Sequence, residues 1–363
     1  MIVRAAVFQH PADGISIEEL VLDAPEPGEI EVRMLAAGVC HSDLHTRDGD
    51  WPLTRLTVLG HEGAAEVVSV GTGVQGLEPG DRVVLSWNAP CGHCLRCVTG
   101  RPWLCVDNGA QRNAMLDGTT RLHRASGEDV WPYCGIGVFA ERMVVAASAA
   151  VRVPRETPAA VAALIGCAVA TGVGAVLNTA RVEPGAAVVV VGLGGVGLSA
   201  VMGAALSGAT PIVAIDSNPA KLELARDLGA THGVLAEHAA RDVAAICPAG
   251  PDYVLEAVGA QATLRLARDL VPRGGTLVLV GMAAKDETFA FEQFPFVDGG
   301  RTILGSNYGS TVPQRDFPQL ARLHVEGRLP IDRLIEAEIP LDELEDALDR
   351  LRRRVGARRV VVY

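Results

Sequence analysis

Residues 188–197 read "VVVVGLGGVG" and are the clearest indication of the chain's architecture. Four consecutive valines are typical of a strand buried on both faces, as in a parallel sheet. Gly192, Gly194 and Gly197 then form a G-x-G-x-x-G motif after the strand and at the start of a predicted helix. There the first glycine makes the tight turn, the second lets backbone approach a pyrophosphate, and the third lets helix and strand pack. The stretch predicts a dinucleotide-binding turn, although a glycine-rich turn with no ligand is the alternative.

The sequence on the C-terminal side repeats the alternation of strand and helix. Predicted helices run from Gly195 to Gly208 and from Pro219 to Gly229, and apolar runs such as "TPIVAID" and "GGTLVLVG" separate the helical stretches. This order predicts an α/β domain with a doubly wound parallel sheet. Asp216 ends "TPIVAID" 19 residues after Gly197, where a carboxylate can bind the ribose 2′-hydroxyl of NAD.

The sequence on the N-terminal side has a different texture. Up to about residue 150, short alternating apolar runs broken by Gly and Pro predict a mostly antiparallel, barrel-like domain. After about residue 310 the sequence becomes helical and charged, and it closes with the predicted strand "RRVVVY". A length of 363 residues also favours two domains over one.

Composition and charge limit the classes of function. The net charge of −11 argues against binding to nucleic acid or to an anionic membrane, because both need a basic surface. The N-terminal "MIVRAAVFQH" has no apolar core of a signal peptide, so we expect a cytoplasmic protein. The apolar run that starts at Pro158 is rich in small residues, and we interpret it as a buried helix and not a membrane span.

Four cysteines lie close together in "CGHCLRCVTGRPWLC", residues 91–105. In a reducing compartment, such a cluster is typical of a metal site more than of disulfides. Four thiolates complete a tetrahedral zinc shell with no open position, so we predict a structural zinc. An iron–sulfur cluster and disulfides are the alternatives. The predicted ligands are Cys91, Cys94, Cys97 and Cys105.

Other candidate ligands are scattered along the chain. Cys40 lies in "GVCHSDLH", His61 in "GHE" and Cys167 in "IGCAVATG". Together they would make a site with three protein ligands and an open fourth position, the pattern of a catalytic zinc. Such a zinc is a Lewis acid that lowers the pKa of a bound alcohol.

As a set, these motifs resemble the zinc-dependent medium-chain alcohol dehydrogenases. "GVCHSDLH", "GHEGAAEVVSVG", "PGDRVV", the cysteine quartet, "GCAVATG" and "GLGGVG" follow the family's order over essentially the whole chain. The resemblance implies a GroES-like, mostly β catalytic domain, residues 1–168 and 304–363, with the structural zinc lobe at about 91–105. A Rossmann domain that binds NAD is implied for residues 169–303.

The resemblance also assigns roles around the metal. Cys40, His61 and Cys167 correspond to the catalytic zinc ligands, and Glu62 to the family's carboxylate near the zinc. Asp43 corresponds to the carboxylate that orients the histidine ligand. Ser42 and His45 correspond to a relay that carries the alcohol proton through the ribose hydroxyl to solvent. Trp51 and Trp87 correspond to walls of the substrate pocket.

The implied cofactor contacts fall in several segments. Thr171 corresponds to a residue at the nicotinamide, Lys221 to a lysine near the adenosine ribose and Arg359 to an arginine that reaches the pyrophosphate. His41 stands where an arginine often binds the pyrophosphate, and its charge depends on pH. The further cofactor-binding residues implied are Gly192, Gly194, Gly195, Val196, Gly197, Asp216, Val258 and Val280.

The sequence thus predicts an NAD-dependent enzyme with two zinc ions per chain that interconverts an alcohol, expected to be a primary one, and an aldehyde or ketone. One alternative is an NADPH-dependent carbonyl or alkene reductase, which Asp216 disfavours because it would repel a 2′-phosphate. The other is a non-catalytic cofactor-binding protein, which has no need of an open zinc site. The long segment after the cysteine quartet resembles the often dimeric branch of the family, so a homodimer is expected, with a tetramer as alternative.

Overall fold

A computed structural model describes residues 1–109, 113–353 and 356–363. The chain forms two compact units. The first comprises Met1–Cys167, Val312–Gly327 and Ile335–Tyr363, and the second Ala168–Thr311 and Arg328–Leu334. The division differs from the predicted boundary at 303/304, because that boundary cuts a strand, Thr302–Gly305, which pairs with its neighbour in the second unit.

The N-terminal part of the first unit is built of short strands. They are β1 (Ile2–Phe8), β2 (Ile15–Leu22), β3 (Glu29–Gly38), β4 (Thr57–Val58), β5 (Glu62–Val70), β6 (Arg82–Leu85), β7 (Leu122–His123), β8 (Asp129–Pro132), β9 (Arg142–Ala146) and β10 (Ala150–Arg152). Strands β1, β2, β7, β8 and β4 close into a barrel, and β10, β6, β5 and β3 lie side by side in a second sheet. Fully buried Phe8, Met34 and Phe139 fill the core. The predicted barrel-like domain is confirmed.

Two helices interrupt these strands. Helix α1 (His41–Asp48) follows β3 directly and ends at Gly49, whose left-handed backbone (φ 88°) turns the chain back. Helix α2 (Leu95–Val98) is a single turn inside the cysteine quartet. Helix α1 therefore begins directly after the predicted ligand Cys40, and α2 carries the predicted ligand Cys97.

A long apolar helix follows at Ala159–Ala180. It consists of α3 (Ala159–Leu164), α4 (Ala170–Gly174) and π-helical turns at Ile165–Val169 and Ala175–Ala180. Within the described residues it is the one helix that has the length and hydropathy of a membrane span. Of its most apolar 18-residue stretch, 89% is buried in the protein. The burial supports the predicted core helix.

The second unit contains a six-stranded parallel sheet in the order β13-β12-β11-β14-β15-β16. Its strands are β11 (Val188–Val191), β12 (Ile212–Asp216), β13 (His232–Leu235), β14 (Tyr253–Glu256), β15 (Thr276–Leu279) and β16 (Thr302–Gly305). Its helices are α5 (Gly195–Ser207), α6 (Pro219–Asp227), α7 (Ala239–Ile246), α8 (Gln261–Leu270) and α9 (Gln293–Asp298). The four valines of β11 are all buried at the centre of the sheet, which confirms the doubly wound α/β prediction.

The C-terminal elements return to the first unit. They are α10 (Pro313–Val325), β17 (Ile335–Ile339), α11 (Leu344–Arg352) and β18 (Arg358–Val362). Strand β18 pairs with β3 through Val360↔Gly38 and Val361↔Ala37, and it pairs with β17 on its other side. The end of β18 that carries Arg358 thus lies beside the segment that leads into Cys40.

Candidate active site and metal centres

Sheet pairing brings Cys40 and His61 together. In the ladder between β3 and β5, Gly38 is paired with Glu62, so the end of one strand and the start of the other are neighbours. Cys40 follows β3 as the N-cap of α1, and the Asp43 carboxylate accepts the Cys40 backbone N–H at 3.0 Å. Cys167 comes from the π-helical turn Ile165–Val169, and π-turns often occur at functional positions.

Donor atoms of Cys40, His61, Glu62 and Cys167 lie within 4.8 Å of one another, and all four residues are buried. Nδ1 of His61 is 3.0 Å from Oδ1 of Asp43, whereas its buried Nε2 has no hydrogen-bond partner among the described residues. The Cys167 thiol lowers the pKa of Cys40 well below its usual range, which favours the thiolate. An orphaned imidazole nitrogen beside two thiols is a donor set that fits zinc.

Glu62 is wholly buried and is paired with Arg358, which is also buried. Burial raises the pKa of Glu62 to about 7, against the opposing effect of the Arg358 guanidinium. Arg359, which the sequence assigned to the pyrophosphate, lies 3.5 Å from Asp346 on α11. The arginine at the buried cluster is therefore Arg358.

The candidate relay residues lie three positions apart on α1. Ser42 Oγ is 3.9 Å from Cys40 Sγ. The His45 ring stacks on Trp51 with centroids 4.9 Å apart, and Nδ1 of His45 is 2.7 Å from Oδ2 of Asp50. Trp51, predicted to form a pocket wall, thus packs on the relay histidine, and the predicted wall residue Trp87 packs on the hydrophobic core of the first unit.

The four cysteines of the quartet also form one cluster with all sulfur atoms within 4.8 Å. Two sulfur–sulfur distances are 4.0 Å, for Cys91–Cys97 and for Cys94–Cys105. A tetrahedron with zinc–sulfur bonds of about 2.3 Å has edges of about 3.8 Å, so the spacing fits the metal. Backbone N–H groups of Cys97 and Val106 lower the pKa of Cys94 to about 6, whereas burial raises the pKa of Cys97 to about 12 and also raises the pKa of Cys105. The arrangement fits a closed structural zinc site.

The glycine motif has the close approaches that its sequence predicts. A Cβ on Gly192 would lie 2.1 Å from Cγ2 of Val258, and one on Gly197 would lie 1.8 Å from the Gly192 carbonyl oxygen. A Cβ on Gly194, by contrast, would meet no atom within 4 Å. Helix α5 begins at Gly195, next to that open space, with Val196 in its first turn, so its N-terminal N–H groups are available to an anion.

Asp216 ends β12 beside this turn. Its Oδ2 accepts the Leu193 N–H at 2.8 Å and its Oδ1 accepts the Asn218 N–H at 2.9 Å. The carboxylate therefore fixes the glycine turn in addition to its predicted contact with ribose. Lys221 follows in the first turn of α6.

Other predicted cofactor residues lie at separate positions. Thr171 lies in α4, Val280 follows β15, and exposed His41 begins α1. All of these assignments remain predictions.

Sequence reasoning did not assign two further buried residues. Glu256, at the end of β14, accepts the Val258 and Gly259 N–H groups, both at 2.9 Å, and so shapes the loop that meets Gly192. The Tyr133 ring lies edge-on to His61, and its hydroxyl is 3.0 Å from Thr46 on α1. The signal for Glu256 was a single acidic residue at the end of an apolar strand. No local pattern marks Tyr133.

Comparison with known protein families matches both units. A family described as "Alcohol dehydrogenase GroES-like domain" matches residues 26–155, and one described as "Zinc-binding dehydrogenase" matches residues 195–326. The chain is 36% identical over 356 residues to "Alcohol dehydrogenase class-3" of Myxine glutinosa, across 95% of this chain and 94% of that protein.

Two solved structures are similar over nearly their whole length. An alcohol dehydrogenase zinc-binding domain protein from Burkholderia ambifaria has a TM-score of 0.95 and 36% identity, with 100% of this chain and 99% of that chain covered. The benzyl alcohol dehydrogenase of Acinetobacter calcoaceticus has a TM-score of 0.94 and 31% identity, with the same coverage.

Proposed function

The chain belongs to the zinc-dependent medium-chain alcohol dehydrogenases, and from this premise we propose that it oxidises an alcohol reversibly with NAD and holds two zinc ions. The observation that carries the proposal is the buried cluster of Cys40, His61 and Cys167, with Nε2 of His61 unpartnered among the described residues. Three protein ligands leave a fourth coordination position open, as in catalytic zinc sites.

The residues of the site have distinct tasks. Cys40, His61 and Cys167 would hold a zinc that supplies Lewis acidity and lowers the pKa of an alcohol hydroxyl. Asp43 holds the imidazole of His61 in the tautomer that leaves Nε2 free to coordinate. Ser42 and His45 take the proton of the alcohol towards solvent.

The second unit would bind the nicotinamide cofactor, which would supply the hydride acceptor for the alcohol carbon. The open space at Gly194 and the N-terminus of α5 suit the pyrophosphate. Asp216 favours NAD, because its charge would repel the 2′-phosphate of NADP. Arg359 stays the proposed arginine for the pyrophosphate, whereas the adjacent Arg358 is paired with Glu62 at the buried cluster.

The substrate is proposed to be a small alcohol, primary and aliphatic or aromatic. A reducing, cytoplasmic setting is proposed as well, since none of the eight cysteines, all of which the structure describes, forms a disulfide. A homodimer is proposed because β16 is an edge strand of its sheet and exposed Phe294 and Val297 lie just before it in the chain.

The test combines metal analysis with turnover. Purified protein is assayed for NADH formation with a panel of primary alcohols and for zinc by mass spectrometry. We expect about two zinc ions per chain in the wild type, and Cys40→Ala should lose one zinc and nearly all turnover but still bind NADH. The matched control Cys247→Ala removes a buried thiol outside both clusters and should keep both properties. Full turnover by Cys40→Ala would refute the proposal.

A further inference from the structure

The segment after α1 brings two side chains back onto His45. Gly49 takes the left-handed conformation at the end of the helix, and its N–H donates to the Thr46 carbonyl. The Trp51 N–H then donates to the His45 carbonyl at 3.2 Å. This reversal puts Asp50 and Trp51 over the last turn of α1, where both contact the imidazole of His45.

The two contacts constrain the imidazole in different ways. The indole of Trp51 lies nearly parallel to the ring, at an interplanar angle of 26°, and so limits its rotation. Oδ2 of Asp50 lies 2.7 Å from Nδ1, and a carboxylate oxygen at this distance requires a proton on that nitrogen. In neutral His45, Nε2 is then the nitrogen that carries the lone pair.

We propose that Asp50 is a positioning residue for the proton relay: it holds His45 in the Nδ1–H tautomer, so that Nε2 is the atom that accepts the proton leaving the alcohol. The inference rests on the proposed function. In this step the alcohol O–H bond breaks, a proton passes along the intervening hydroxyl groups, and an Nε2–H bond forms. Nε2 later gives the proton to water. Nδ1 keeps its own proton throughout, because the Asp50 carboxylate accepts a hydrogen bond from the Nδ1–H group.

If the contact between Asp50 and His45 had only a structural role, its removal would change little. The Asp50 and His45 side chains are 48% and 27% exposed, and a polar contact between side chains this exposed adds little to stability. Removal of the carboxylate should therefore barely change the melting temperature, whereas the loss of the tautomer should reduce proton transfer.

The first measurement is independent of turnover. Long-range ¹H–¹⁵N spectra of ¹⁵N-histidine-labelled protein without cofactor report the tautomer of each imidazole, and His45→Gln identifies the resonance of His45. We expect the Nδ1–H form in the wild type and a mixture dominated by Nε2–H in Asp50→Ala. An Nε2–H tautomer in the wild type would overturn the proposal.

The second measurement is alcohol oxidation near neutral pH. Asp50→Ala should lower kcat/KM on the order of tenfold, part of the effect of a general base, and Asp50→Glu should restore most of it. In the His45→Gln background, Asp50→Ala should have no further effect. The control Asp48→Ala removes a nearby carboxylate that pairs with Arg47 and Arg352 instead of His45, and should retain activity.

Independent, multiplicative effects of Asp50→Ala and His45→Gln would also overturn the proposal. If the wild type oxidised no alcohol with either cofactor, the proposed function would fail, and the tautomer measurement would still decide the role of Asp50.

Discussion

At the scale of single residues, Asp216 fixes the glycine turn, and we propose that the same carboxylate selects the cofactor. Both oxygens accept backbone N–H groups, from Leu193 and Asn218, so the charge is fixed at the edge of the glycine turn. A 2′-phosphate at about 4 Å from it, at an effective dielectric constant near 20, would be repelled by roughly 4 kcal/mol. The wild type should therefore prefer NAD strongly.

Replacement of Asp216 tests this preference. Asp216→Gly should lower the ratio of kcat/KM for NAD to that for NADP by at least roughly tenfold, a small part of the estimated repulsion. The variant also loses two hydrogen bonds to the turn, so its folded fraction should be lower than that of the wild type. The ratio of the two constants is the right readout, because the fraction of folded protein cancels. A wild type that used both cofactors equally would contradict this role of Asp216.

At the scale of elements, the strand–turn–helix of β11 and α5 contains two glycines that differ in the space around them: one is closely packed and the other faces open space. A Cβ at position 197 would overlap the Gly192 carbonyl, and such overpacking costs about 1–3 kcal/mol or more. A Cβ at position 194 would point into open space and should matter only when a pyrophosphate fills that space.

The two alanine variants form a matched pair. Gly197→Ala should lower the melting temperature by several degrees. Gly194→Ala should melt within about a degree of the wild type but bind NADH at least roughly tenfold more weakly, a loss of about 1.4 kcal/mol. Thermal denaturation and NADH fluorescence titration measure both quantities. If the two variants had equal melting temperatures and equal NADH affinities, the turn would not hold the cofactor.

The zinc lobe is the second element that can be tested alone. Cys97→Ser removes one of four thiolates, and structural zinc provides roughly 10 kcal/mol or more of folding energy in zinc-finger peptides. We expect the metal content to fall from about two to about one per chain and the lobe to become sensitive to proteolysis. Cys247→Ala is the control. A variant with full metal and an unchanged melting curve would exclude the structural zinc.

The number of residues that separate the members of a site in the sequence explains which features were predictable. The quartet and the glycine motif could be predicted from spacing, because their residues lie within one short segment. The convergence of Cys40, His61 and Cys167 followed from family resemblance and not from spacing. Arg358 was not assigned to the zinc cluster, because its partner Glu62 is 296 positions away and only the pairing of β18 with β3 brings them together.

At the scale of the whole molecule, the exposed edge of the parallel sheet predicts self-association. An edge strand leaves backbone groups unpaired, and two copies of β16 can pair about a twofold axis. Phe294 and Val297 are 78% and 70% exposed in the segment that leads into β16.

Light scattering after gel filtration measures the state of association. The wild type should have about twice the 38.0 kDa chain mass, whereas Phe294→Asp with Val297→Asp should shift it towards the monomer. Leu95→Asp, which changes an equally exposed apolar residue in the zinc lobe, is the control. A monomeric wild type would refute the dimer.

The pairing of β18 with β3 also has a consequence for how the protein is made. At about 5–20 residues per second, a ribosome reaches Arg358 about 15–60 s after Glu62. During that interval the nascent chain already exposes Cys40 and His61, but Glu62 has no buried counter-ion. The lobe at 91–105 is the first complete set of predicted metal ligands to leave the exit tunnel. If both proposed sites bind zinc, the order of synthesis favours metallation of the lobe before that of the proposed catalytic cluster.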